Sequence, residues 1–322
     1  METYLALDLG GTKLMIGEVD ASGNILRHKK YASGYFNQLA ALDIIKTSLN
    51  DYIATVGWHT DEKPRAMGIG LIGRVDTENG VWLQIDPTRT HPLELCREME
   101  ETFGIPCFID NDVKSATRAE MVWGFGRLTR NFLYLNVGTG IAVGTVIDGV
   151  QLRGSHFNAG EVGHVRTGVQ VGIKCGCGRI DCVEAIASGI GFDNCARHFS
   201  AQYPESPLNI PPLGQRVSVE EVYAHAQNGD PLCQLLVDNA ALALANLIMN
   251  LVRVTDPDTI VLGGGVVADG YMLSCIQQHL HPITMRFVTN GVVITKLHPV
   301  FVGLMGAAAV AIEHVKATEG QN

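Results

Sequence analysis

Leu7-Asp8-Leu9-Gly10-Gly11-Thr12 is followed by Asp20 and Gly23, and Leu135-Asn136-Val137-Gly138-Thr139-Gly140 by Asp148 and Gly149. Leu7 and Leu135, Gly10 and Gly138, and Asp20 and Asp148 all stand 128 residues apart. In both copies apolar runs flank a glycine turn: Leu5-Ala6-Leu7 and Leu14-Met15-Ile16 in the first, Phe132 to Ile147 in the second. That pattern predicts a strand, a turn and a returning strand. One hairpin used twice, about a domain's length apart, predicts two similar lobes facing a cleft.

The segments between the copies alternate in period. Leu39, Leu42, Ile45, Leu49, Ile53 and Val56 recur every three or four residues and predict an amphipathic helix. Ala66–Ile72 and Pro106–Ile109 read as strands, and Val113–Trp123 as a helix. Leu232–Val254 reads as a long buried helix stopped by Asp256-Pro257-Asp258. Thr259–Leu262 is a strand ending in glycines, and Gly303–His314 a closely packed last helix. The four prolines of Gln202–Pro212 mark a loop. Strands alternating with helices give an α/β class.

The 322 residues suit two domains. Hydrophobic residues at 46% supply a core, and charged residues at 18% are too few for disorder. A net charge of −9 argues against a nucleic-acid partner. It leaves anionic ligands open, since backbone amides at helix starts bind them. Met1-Glu2-Thr3-Tyr4-Leu5 shows neither a basic leader nor an apolar signal segment. No apolar run is expected to reach the roughly 18 residues of a membrane helix. The expectation is therefore a soluble cytoplasmic chain without a membrane partner.

Five motifs carry candidate chemistry. In Asp8-Leu9-Gly10-Gly11-Thr12-Lys13, glycines admit phosphate oxygens, Thr12 and Lys13 add donors, and Asp8 is placed to hold Mg²⁺. The bland alternative is an ordinary turn, and the P-loop spacing is absent. Gly138-Thr139-Gly140 repeats the device. Gly263-Gly264-Gly265-Val266-Val267-Ala268 follows a strand, as a dinucleotide fingerprint does. The ribose-binding acid is missing, however: Tyr271 to Gly306 holds no Asp or Glu. A turn packed against a nucleoside is the preferred reading, with close helix–strand packing beside it. Asp110-Asn111-Asp112 ends a strand and opens a helix. It can take a proton from a substrate hydroxyl or simply cap the helix. Last, Glu161-Val162-Gly163-His164 precedes Cys175-Gly176-Cys177 and Cys182-Val183-Glu184. Three cysteines within eight residues suit Zn²⁺ better than disulfides. His164 is the nearest fourth ligand, with His156 and His198 as rivals.

Together these motifs resemble the ROK family of sugar kinases, within the actin-like ATPase superfamily, in its zinc-containing form. Asp8–Lys13 looks like the first phosphate loop, Asn136–Gly140 like the second, and Gly263-Gly264-Gly265 like the adenosine turn. Gly68–Asp76 resembles the sugar-lobe segment, Asn111-Asp112 the catalytic pair, and Glu161 to Glu184 the zinc and sugar signature. The resemblance implies two actin-like (RNase H-like) lobes around a central cleft: a small lobe of residues 1–112 plus 302–322 and a large lobe of 113–301. It implies phosphorylation of a hexose or N-acetylhexosamine by ATP, at O6, with Asp112 as general base. Gly73, Asn111, Glu161, His164 and Glu184 then hold the sugar, and His164 shares a structural zinc with Cys175, Cys177 and Cys182. A homodimer follows from the same likeness. No helix-turn-helix precedes the first strand, which favours kinase over ROK repressor.

Three departures stand out. Asp181 replaces the usual glycine before the third cysteine, Lys114 interrupts the run after the catalytic pair, and Ile85–His91 replaces a pocket-shaping stretch. The altered stretch and Lys114 motivate an alternative, a non-catalytic sugar-binding regulator. A nicotinamide oxidoreductase using Gly263–Ala268 is a third reading.

Overall fold

The structure, a computed structural model, describes residues 2–34 and 36–319. It divides into two compact units, residues 1–127, 153–159 and 300–322, and residues 128–152 and 160–299. Residues 320–322 of the expected small lobe lie outside the described residues.

Unit 1 is built on β1 (Thr3–Leu9), β2 (Lys13–Asp20), β3 (Ile25–Ala32), β4 (Met67–Leu71) and β7 (Cys107–Asn111) in the order β3-β2-β1-β4-β7. The short hairpin β5 (Arg74–Asp76) and β6 (Val81–Gln84) stands apart from this sheet. β1, β4 and β7 run parallel, while β2 pairs antiparallel with β1 and β3 antiparallel with β2. α1 (Gln38–Thr55) and α2 (Leu95–Phe103) contribute Ala41, Ile45, Leu49, Tyr52, Leu95 and Met99 to a core with Leu5, Leu7, Ile69 and Ile109. Each such aliphatic side chain, fully buried, contributes on the order of 1.5–3 kcal/mol. Leu39, expected on the apolar stripe of α1, is exposed, because the buried face is set by Gln38, Ala41 and Ile45 instead.

The other core of unit 1 lies under the C-terminal helix, Val302–Glu319, where Leu304, Ala307, Ala308 and Ala311 are buried with Tyr4, Ala6 and Met15. Small residues let the backbones meet: a Cβ on Gly68 of β4 would lie 1.8 Å from the Ala307 carbonyl oxygen. α3 (Asp112–Trp123) packs against this helix too, where a Cβ on Gly306 would strike the Ser115 backbone at 2.5 Å. Unit 1 therefore continues to Arg127, and the boundary lies beyond the 112/113 division read from the sequence.

Unit 2 repeats the plan. β8 (Phe132–Val137), β9 (Ile141–Ile147), β10 (Val150–Gln151), β11 (Thr259–Gly263) and β12 (Val292–Ile294) lie in the order β10-β9-β8-β11-β12. β8, β11 and β12 are parallel, and β9 and β10 antiparallel. The 128-residue echo is thus a repeat of strand order and direction as well as of sequence. α4 (Val183–Ala187), α5 (Gly189–Phe199), α6 (Val219–Gln227), α7 (Pro231–Thr255), α8 (Tyr271–Gln277) and α9 (Pro282–Met285) complete the unit. Contrary to the reading that no run was long enough, α7, with 25 residues, is long and apolar enough to cross a membrane. Its Leu236, Ala240, Leu244, Leu247 and Ile248 are buried in the core of unit 2.

Candidate functional site

In unit 1 the candidate residues gather at the carboxyl ends of parallel strands, where open α/β sheets bind ligands. The register places Asp8, Gly70 and Asp110 in one row across β1, β4 and β7, with Leu9, Leu71 and Asn111 in the next. Asp8, next to last in β1, lies against the C-terminal helix so closely that a Cβ on Gly303 would lie 2.2 Å from its Oδ2. Burial pushes the Asp8 carboxyl up and Lys13 pulls it down. A carboxylate short of countercharge is suited to a divalent cation. In the turn that follows, the Gly10 amide donates to the Lys13 carbonyl at 2.9 Å, and Thr12 is exposed. Neither packing nor backbone demands glycine here: a Cβ on Gly11 would meet nothing within 4 Å, and on Gly10 only ordinary contacts. Such glycines leave room for close approach of a ligand.

Asn111 is the N-cap of α3, its Oδ1 accepting from the amides of Val113 (3.1 Å) and Lys114 (3.2 Å). Its Nδ2 donates to the Gly73 carbonyl at 2.9 Å. The capping role therefore holds for Asn111, and one amide hydrogen is left beyond these bonds. Gly73, at φ +86, carries a backbone where a Cβ would strike the Gln84 carbonyl at 2.2 Å. Asp112 opens the helix half-buried, and its Oδ1 accepts from the Val113 amide at 2.9 Å. A negative charge in a first helical turn is favoured by the helix dipole.

The replaced stretch 85–91 folds as a tight turn. The Arg89 amide donates to the Asp86 carbonyl and the Ile85 amide to the Arg89 carbonyl, at 3.0 and 3.1 Å. Hydrogen bonds from the Thr88 hydroxyl and Arg89 hold the Asp86 carboxyl at about 2. Buried Gln38 anchors it, Nε2 donating to Trp82 and Oε1 accepting from the His91 amide.

In unit 2 the second glycine turn also follows the central strand. The Gly138 amide donates to the Gly140 carbonyl at 3.0 Å, and the start of α5 holds the turn through Gly189 to Gly138 and Ile190 to Thr139. The glycines divide by duty. Gly140 is needed for packing, since a Cβ would lie 2.6 Å from Glu184 Oε2; Gly138 is not, its nearest neighbour being 3.5 Å away. Gly263 lies against Tyr134 and Gly264, at φ +93, against Val137, so close packing explains both, while Gly265 faces open space. Arg216, which no motif had singled out, reaches the Thr139 hydroxyl at 3.5 Å.

His164, Cys175, Cys177 and Cys182 place their ligand atoms within 4.8 Å of one another. Cys175 Sγ and His164 Nδ1 are 3.5 Å apart, and Cys177 Sγ and Cys182 Sγ 3.6 Å. Tetrahedral Zn–S bonds of roughly 2.3 Å require edges of about 3.8 Å. A disulfide needs sulfurs at about 2.05 Å. The donor set therefore fits zinc, and it selects His164 over His156, exposed in another unit, and His198, stacked edge-on against Phe199. Burial pushes the Cys182 thiol up to about 12; a bound divalent cation would reverse that. Asp181 resolves the missing glycine: it takes the left-handed backbone itself, φ +59, and its Oδ1 accepts from the amides of Val171 (3.2 Å) and Ile173 (3.0 Å). Glu161, exposed, precedes the single 3-10 turn that carries His164. Glu184 sits in α4, directly after Cys182, and its Oε2 accepts from the Ile141 amide at 2.9 Å.

The arrangement can therefore offer two open glycine turns, a carboxylate at a cation position, a carboxylate base beside a strand end, and a four-ligand metal cage. Comparison with known proteins addresses the family of the chain. The chain is 29% identical to a glucokinase of Halalkalibacterium halodurans, over 89% of this chain and 88% of that one. It is likewise 29% identical to an N-acetylmannosamine kinase of Escherichia coli, over 96% and 98% of the two chains. Among solved structures, a ROK family glucokinase from Streptomyces griseus in complex with glucose and AMPPNP superposes with a TM-score of 0.78 at 26% identity, covering 97% of this chain and 99% of that one. The sequence pattern of the ROK family matches residues 4–314, and the chain belongs to that family.

Proposed function

We propose that the protein transfers the γ-phosphoryl group of ATP to a hydroxyl of a hexose or N-acetylhexosamine, at O6, with Asp112 as general base. As a class it is an ATP-dependent sugar kinase, like the glucokinases and N-acetylmannosamine kinases it is similar to. The observation that carries the finer reading is the sheet row of unit 1. One parallel edge gathers Asp8 and its open glycine turn, Gly73, and the Asn111-Asp112 pair.

In this reading the Asp112 carboxylate takes the proton of the acceptor hydroxyl as its oxygen attacks the γ-phosphorus in line. Gly11, Thr12 and Lys13, with Thr139 and Gly140, supply donors to the polyphosphate, while Gly10 and Gly138, whose amides close the two turns, leave room for its approach. Gly263, Gly264 and Gly265 border the nucleoside. Asn111, Gly73, Glu161, His164 and Glu184 orient the acceptor. Magnesium held by Asp8 would neutralise charge on the phosphate oxygens. Zinc held by His164, Cys175, Cys177 and Cys182 would fix the loop between Glu161 and Glu184 and take no part in the transfer.

The test is sugar-dependent ADP release over glucose, fructose, mannose, allose, N-acetylglucosamine and N-acetylmannosamine. Turnover with at least one is expected. Asp112→Asn should lower kcat by about 10²–10⁴ while sugar binding stays measurable. Sugar binding without ADP release from any of the six would favour the regulator; an Asp112→Asn enzyme of wild-type kcat would remove the base.

A further inference from the structure

Residues 153–159 belong to unit 1, although the chain on either side of them belongs to unit 2. Two cations, half-buried Arg153 and buried Lys114, pin this strap. Arg153 Nη1 and Nη2 donate to Asp110 Oδ1 and Oδ2 at 3.0 and 2.8 Å, and Asp110 is 1% exposed. Four residues on, the Phe157 carbonyl accepts from Lys114 Nζ at 2.6 Å, and Lys114 is 6% exposed. Within the strap the Ala159 amide donates to the Arg153 carbonyl at 3.2 Å. Phe157 itself has φ +57, a left-handed region that is strained for a non-glycine residue.

Two features of this contact are unfavourable taken singly. A buried ammonium loses its hydration, which hydrogen bonds such as that to the Phe157 carbonyl must replace. A bulky residue in the left-handed region persists only where its surroundings over-determine it. Both are kept at one contact, and the strap's two anchor points, Asp110 and Lys114, bracket Asn111-Asp112. Beyond the strap the chain runs directly through Gly160 to Glu161.

We propose that Lys114 is a positioning residue for the phosphoryl acceptor. By holding the Phe157 carbonyl it fixes the strap against the start of the helix that carries Asp112, and it limits the positions open to Glu161, which follows two residues later. This rests on the reading above that Asp112 and Glu161 serve the acceptor. It also gives Lys114, the departure that suggested a regulator, a task within a kinase.

Lys114→Met and Lys114→Arg are compared with wild type, using the sugar that the panel identifies. Lys114→Met is expected to raise the sugar KM at least tenfold, with the ATP KM within twofold and kcat within threefold. Lys114→Arg keeps a donor and should return the sugar KM to within threefold of wild type. Amide exchange over Phe157–Glu161 should quicken at least tenfold in Lys114→Met and not in Lys114→Arg. Lys114→Gln, neutral and one bond shorter, is the second variant should the methionine protein not fold, and the same rise in sugar KM is expected. An unchanged sugar KM, a parallel change in both KM values, or an arginine variant no better than methionine overturns the proposal. Failure of the functional reading looks different: wild type then turns over none of the six sugars. Exchange across the strap still decides whether Lys114 holds it, and unchanged exchange rejects the proposal in that case too.

Discussion

Asp181 offers a sharp test of how this chain replaces a glycine. Its side chain, 5% exposed in all, places one oxygen, Oδ1, on the amides of Val171 and Ile173, at 3.2 and 3.0 Å, while its own backbone sits at φ +59. Asp181→Gly removes both acceptor contacts. Stranding two buried amides costs about 1–3 kcal/mol each, and relief of the left-handed backbone returns roughly 1–2 kcal/mol. The net is a loss of about 0–5 kcal/mol, centred near 2.5 kcal/mol, which at that centre is roughly 5–10 °C in Tm for a unit of this size. Asp181→Asn keeps the one oxygen that does the accepting, and asparagine tolerates the left-handed region; its Tm should stay within about 2 °C of wild type. Thermal melts of the zinc-loaded protein decide between them, with metal content measured on the same samples. A glycine variant as stable as wild type, or an asparagine variant that falls as far as glycine, would refute the bridging account and leave the turn to backbone freedom alone.

Other outcomes follow from the same geometry. Purified protein should carry about one Zn²⁺ per chain, and Cys177→Ser should lower both metal content and Tm; a variant with unchanged Tm contradicts a structural cage. Gly11→Ala meets nothing within 4 Å, so Tm should hold while the ATP KM rises about tenfold, which is 1.4 kcal/mol of binding; Gly264→Ala, which strikes Val137 at φ +93, should lose Tm first. Thr88 and Arg89 depress the Asp86 carboxyl to about 2, so its contribution is present above the unfolded value near 3.9 and is lost as pH falls through 2. Melts of wild type and Asp86→Asn should accordingly differ by a constant amount above about pH 5 and converge toward pH 2; curves that run parallel down to pH 2 would argue against that partnership.

Local signals carried much of the fold and most of the metal cage. The 128-residue echo marked the two hairpins because a glycine turn between apolar strands is specified by contiguous residues. The Cys175, Cys177 and Cys182 spacing was legible for the same reason, and His164 joined it because one short turn supplies it. What escaped was set by residues distant in sequence. Leu39 fits the stripe of α1, yet Gln38 takes the buried face because its amide binds Trp82 and His91, 44 and 53 positions away. Nothing near Asp110 announces Arg153, its partner 43 residues on. The unit boundary moved past α3 because that helix packs on the last helix of the chain, a contact no local period reports. In Gly138-Thr139-Gly140 and Gly263-Gly264-Gly265 the letters were plain but the duties were not. Only the neighbours of each absent Cβ separate packing glycines from those free to meet a ligand.

The repeated strand order explains why the open glycines fall where they do. In each sheet the central strand, β1 or β8, has an antiparallel neighbour on one side and a parallel one on the other. Its carboxyl end must therefore turn back at once, and a tight return is the place for glycine. The parallel neighbours end at the same edge: β4 before Gly73 and β7 at Asn111 in unit 1, β11 at Gly263 in unit 2. Backbone amides that point out of such an edge favour anions over cations. In the proposed function an acidic chain of net charge −9 binds a polyphosphate through backbone donors, without a basic patch. In the same proposed function the carboxylates at this edge, Asp8 and Asp112, then serve a cation and a proton. If the phosphate were held mainly by side-chain charge instead, Lys13→Met would cost more ATP affinity than Gly11→Ala, and a KM comparison of those two variants settles which force dominates.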